Sequence, residues 1–83
     1  MKRTVIVTQE VEVEVDETKF SPEFMTEFRE SFYPFQTIDK HIEHLAQMEA
    51  RGVIHGDSFI EGYGNPRDMG ISIRIESCET EIV

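Results

Sequence analysis

The chain has 83 residues, 39% of them hydrophobic, and its 17 acidic against 8 basic side chains give a formal net charge of −9. That length holds one small domain with a modest core, and its regular apolar patterning argues against a disordered chain. The acid excess argues against direct nucleic-acid binding and against attraction to an anionic membrane surface, because both draw on clustered Lys and Arg.

Residues 4–16 are expected to form one long strand. Val5, Val7, Val11, Val13 and Val15 alternate onto one face, interrupted by Gln9, while Thr4, Ile6, Thr8, Glu10, Glu12, Glu14 and Asp16 take the other. Next, "FSPEF" carries the signals of a helix start: Ser21 as cap, Pro22 at the first helical position, Glu23 in the first turn. Phe24, Phe28 and Phe32 beside Met25 give that helix an apolar stripe, and Pro34 ends it. A second helix begins after Thr37, presents Ile38, His41, Ile42, Leu45 and Met48 on one side, and stops at Arg51–Gly52 in a Schellman arrangement with Val53.

Residues 54–70 hold four of the five glycines and are expected to be mostly irregular, with one helical turn between Asp57 and Gly62. The last strand, 71–82, places Ile71, Ile73 and Ile75 on one face. Cys78, Thr80 and Ile82 continue that face one residue out of step, which requires a β-bulge near Glu76–Ser77. The expected fold is a single α+β domain over 1–83 in the order β-α-α-loop-β. Two long antiparallel strands carry both helices on one sheet face, with room for a third short strand around Ser58–Ile60. Open strand edges make a homodimer through edge pairing an alternative mode of association.

Like-facing strand residues lie about 6.6–6.8 Å apart, so Glu10, Glu12, Glu14 and Asp16 form a linear row of carboxylates. The last strand adds Glu76, Glu79 and Glu81, with Arg74 as the nearby base. Charge of this kind keeps an exposed strand soluble. It also approximates the sign and repeat of a phosphate track, which places a charge about every 3.4 Å of axis per strand. The complementary partner is a larger protein with a basic, nucleic-acid-binding surface.

Other candidate contacts are Tyr33 and Phe35 in the corner "SFYPF", and Tyr63 and Arg67 in the glycine-rich 61–70 loop. His41 and His44 are spaced to share a metal, with Glu43, His55 and Asp57 as further oxygen or nitrogen donors. The HExxH order is absent, and His41 lies on the apolar stripe, which suits a core histidine with one hydrogen-bond partner. No phosphate-loop pattern, nucleophile elbow or cofactor motif is present, and the single cysteine, Cys78, sets up no internal disulfide. With no secretory h-region and no membrane-length apolar run, the expected compartment is the cytoplasm.

The resulting expectation is a non-enzymatic acidic binding module without cofactor, an inhibitor of the kind that phage-type anti-CRISPR or anti-restriction proteins exemplify. A small structural or assembly subunit and a metal-binding module at His41/His44 are the alternatives.

Overall fold

β-branched residues at alternate positions build the first strand, β1, over Val5–Glu14. In a computed structural model, which describes residues 1–54 and 58–83, β1 pairs antiparallel with β2, Ser72–Ile82, in a two-stranded sheet. Between them run α1, Pro22–Ser31, and α2, Ile38–Ala50. The order is therefore β-α-α-β, a small α+β fold.

Local chemistry fixes most of the boundaries. The Ser21 hydroxyl accepts from the Phe24 N–H at 3.2 Å, and Thr37 accepts from the Lys40 N–H at 3.3 Å, so each helix begins at a capped orphan donor. At the end of α2 the Val53 N–H donates to the Met48 carbonyl and the Gly52 N–H to that of Glu49, the two bonds of the Schellman motif. In the sheet, Glu10 faces Ser77 and Val11 faces Ile75. Glu76 is thus the extra residue of a bulge, and it returns the isoleucines and Cys78 to one face.

Strand β1 is shorter than the expected 4–16. Alternation continues past Glu14, but at Asp16 the carboxylate turns back to accept from the Thr18 N–H at 3.0 Å and from its hydroxyl at 2.6 Å. It caps a short 3₁₀ turn, Glu17–Lys19, that leads into α1. Glycine-rich 61–70 holds a second 3₁₀ turn, Pro66–Met69, capped by the Asn65 side chain. The helical turn expected after Asp57 and up to Gly62 does not form among the described residues: Ser58 is a bend, Ile60 an isolated bridge and Glu61–Gly62 a turn. Ile60 makes a single bridge to Gly64, so no third strand joins the sheet among the described residues.

The core sits at one end of the molecule. Phe20, Met25, Phe28, Leu45, Ile60, Tyr63 and Ile71 are buried together, with Val13, Val15, Phe24, Phe35, Ile38, Met48 and Ile73 packed around them. Both helices thus feed a core on the valine side of the sheet, and the main contacts with the strands run through α2. A 13-residue helix is about 20 Å long, whereas a ten-residue strand extends about 33 Å. The far half of the ribbon, Val5–Glu10 with Ser77–Ile82, therefore projects beyond the body, and the principal extents are 51, 23 and 19 Å.

Candidate functional site: the acidic face of a projecting ribbon

The pairing register sorts the ribbon into two chemically distinct faces. One carries Val5, Val7, Gln9, Val11 and Val13 opposite Ile82, Thr80, Cys78, Ile75 and Ile73. The other carries Ile6, Thr8, Glu10, Glu12 and Glu14 opposite Glu81, Glu79, Ser77, Arg74 and Ser72. On this acidic face no carboxylate stands directly across from another. Like charges in direct opposition destabilise a strand pair, and the register avoids that cost while keeping five glutamates on one surface.

Arg74 is the base on this face, and it is already engaged. Its Nε donates to Glu76 Oε1 at 2.6 Å and its guanidinium lies 3.3 Å from Glu12 Oε1. The hydrogen bond from Arg74 holds the Glu76 carboxyl below its usual range. The bond to Glu76, reinforced by the charge of Glu12, raises the guanidinium further above its ordinary value. Among the described residues Glu10, Glu14, Glu79 and Glu81 make no ion pair, and all four are exposed. Their charge is directed to solvent.

Asp16 does not extend this row. It lies past the end of the paired strand, and its hydrogen bonds to Thr18 lower its pKa and commit it to the 3₁₀ cap.

The aromatic candidates separate by burial. Tyr33 is 50% exposed and stacks on Phe35 with centroids 5.5 Å apart. Phe35 is half-buried, stacked in turn on Phe28 at 5.7 Å. Tyr63 is no surface contact: it is buried, and its hydroxyl lies 2.8 Å from His41 Nδ1. The tight turn at Ile60–Gly64 folds the ring inward, which a glycine-rich sequence alone does not reveal. Arg67 is exposed within the 3₁₀ turn Pro66–Met69.

His41 is fully buried, ringed by Phe20, Phe24, Phe28, Phe35 and Tyr63 at centroid distances of 4.6–5.9 Å. Burial, with the charge of His44 behind it, lowers its pKa from 6.5 to about 4. Burial likewise raises the Tyr63 phenol above its ordinary value. His44 is half-buried and lies against the Tyr33 and Phe35 rings. Among the described residues no group of three metal-ligating side chains converges; His55 and Asp57 fall outside them.

Two surfaces escaped the sequence reading. One is a groove of about 360 Å³ where Phe32 and Tyr33 meet Met48 and Val53. The Schellman turn that ends α2 brings Val53 there, so the Arg51–Gly52–Val53 signal held the clue. The other is the uncovered far end of the valine face. No helix among the described residues is long and apolar enough to cross a membrane. In comparisons with protein-family models, with curated proteins and with solved structures, nothing matches this chain.

Proposed function

We propose that this chain is a non-enzymatic binding module that docks the acidic ribbon face on a basic, nucleic-acid-binding surface of a larger protein. The observation that carries this reading is the exposed set Glu10, Glu14, Glu79 and Glu81, held on one face of a ribbon that projects from the body. Projection lets the carboxylates enter a basic groove that a globular surface would not reach. The charges steer the approach and set the register. Ile6, 50% exposed on the same face, adds apolar contact beside them. A phage-type inhibitor of a nuclease, such as an anti-CRISPR or anti-restriction protein, is a setting that uses such a surface.

The test is affinity capture from cell lysate with the wild type and with Glu10→Lys/Glu14→Lys/Glu79→Lys/Glu81→Lys, after circular dichroism confirms that both fold. These four side chains pack against nothing in the core, so reversal leaves the fold in place. The reading requires that nucleic-acid-binding proteins are retained by the wild type and lost by the variant. Equal retention by both would move the docking face elsewhere.

A further inference from the structure

Where α1 ends, two aromatic side chains stay at the surface. Phe32 and Tyr33 are 42 and 50% exposed, and rings beneath them hold both in place. Phe32 leans on Phe28 with centroids 5.1 Å apart, and Tyr33 stacks on Phe35 with 16° between the planes. With His44, Met48 and Val53 they line the groove of about 360 Å³. Glu61 adds a carboxylate to that lining, and among the described residues no Lys or Arg shares it.

Backbone geometry sets Glu61 there. It begins a turn closed by the N–H groups of Tyr63 and Gly64, which donate to the Ile60 carbonyl at 2.9 and 2.8 Å. The next residue, Gly62, has φ +90°, and a Cβ on it would lie 2.7 Å from Phe28 Cε2 and 3.4 Å from Phe32 Cδ2. Glycine thus lets the turn lie against the two rings. Tyr63, buried beside His41, anchors the turn from inside.

We propose that this groove is a cation site that takes an arginine side chain presented by another protein. The chemistry of the lining selects the occupant. An apolar side chain would take water from the Glu61 carboxylate and give nothing back. An anion would meet that carboxylate and a molecule of net charge −9. A metal ion needs several converging oxygens, and the described lining offers a single carboxylate. A guanidinium suits both parts: its plane stacks on aromatic faces, and its N–H fork donates to a carboxylate. The apolar stem of the side chain matches Met48 and Val53. His44 adds no opposing charge at pH 7, because burial, with the charge of Arg51 behind it, lowers its pKa. Among the described residues none of β1 or β2 lines the groove, so the site does not rest on the docking of the ribbon.

Titration of the isotope-labelled protein with N-acetylarginine methylamide, followed by amide chemical shifts at about 150 mM salt to screen the ribbon charge, tests the proposal. Saturable shifts should gather at Phe32, Tyr33, Val53, Glu61 and Gly62, with a Kd on the order of 10 mM. The citrulline analogue, which keeps the shape and loses the charge, should bind several-fold more weakly. So should the lysine analogue, which keeps the charge and loses the plane. Glu61→Gln and Tyr33→Leu should each weaken arginine binding several-fold, while Glu79→Gln on the ribbon should leave it intact. Glu61 is exposed and outside the core, so Glu61→Gln decides the matter even where Tyr33→Leu disturbs the Phe35 stack. The proposal fails if arginine gives no saturable shift at the groove, or if citrulline or lysine binds equally well. It fails too if Glu61→Gln binds arginine as tightly as the wild type.

Discussion

His41 is the one polar side chain fully inside the core among the described residues, and its environment tolerates the neutral ring only. Nδ1 meets the Tyr63 hydroxyl, while Nε2 is buried with no hydrogen-bond partner among the described residues, so a second proton would bring a charge among aromatic rings. The folded pKa, about 4, lies below the ordinary 6.5, and the unfolded chain therefore takes up the proton first. The contribution of neutral His41 is complete above pH 6.5 and falls as the pH drops toward 4, by about 1.4 kcal/mol per unit. The total is on the order of 3 kcal/mol, a large share of the stability of a small domain. Burial, with the charge of Arg51 behind it, also lowers the pKa of His44, which sits nearer the surface. Urea midpoints measured from pH 7.5 to 4.5 should decline steadily in the wild type, and His41→Leu should flatten the decline far more than His44→Gln. Tyr63→Phe removes the one hydrogen bond of the buried imidazole and should cost about 1–3 kcal/mol at neutral pH.

Helix α1 and the ribbon stand at opposite ends of the stability range. Phe28, 3% exposed, touches the rings of Phe24, Phe32, Phe35, His41 and Tyr63. Phe28→Ala should cost about 3–5 kcal/mol, enough to unfold much of the population, while Val7→Ala on the bare ribbon should shift the thermal midpoint little. The second 3₁₀ turn depends on Gly70, at φ +62°. A Cβ there would lie 2.5 Å from Asp16 Cβ and 3.2 Å from the Asp16 backbone nitrogen. Gly70→Ala should destabilise by about 1–3 kcal/mol in chemical denaturation.

The same elements show what sequence can disclose. Ser21, Thr37 and the Gly52 stop were legible because capping is local chemistry. The bulge at Glu76 was legible because a period of two cannot slip silently. Asp16 was misread because alternation ran on after pairing had ended, although Asp-x-Thr is itself a capping signature. Asn65–Pro66, a cap followed by proline, marked the missed 3₁₀ turn in the same way. Whether anything covers Val5 and Val7, or folds Tyr63 inward, is decided by tertiary packing, and no residue nearby announces it.

At the scale of the whole molecule, charge and shape act together: a net charge of −9 sits on a body with a projecting ribbon, and the register gathers five glutamates on one side of it. Four of those glutamates are exposed and can vary without touching the core, which separates binding from folding in the capture test. Salt should weaken docking through the carboxylates. The central claim, that the acidic face occupies a site built for nucleic acid, is tested most directly by competition on a captured partner. Fluorescent duplex DNA bound to that partner is titrated with this protein, and the anisotropy is followed. The account predicts that the wild type displaces the DNA, less effectively as salt rises, and that Glu10→Lys/Glu14→Lys/Glu79→Lys/Glu81→Lys does not. Simultaneous binding of DNA and the wild-type protein to the partner would contradict it.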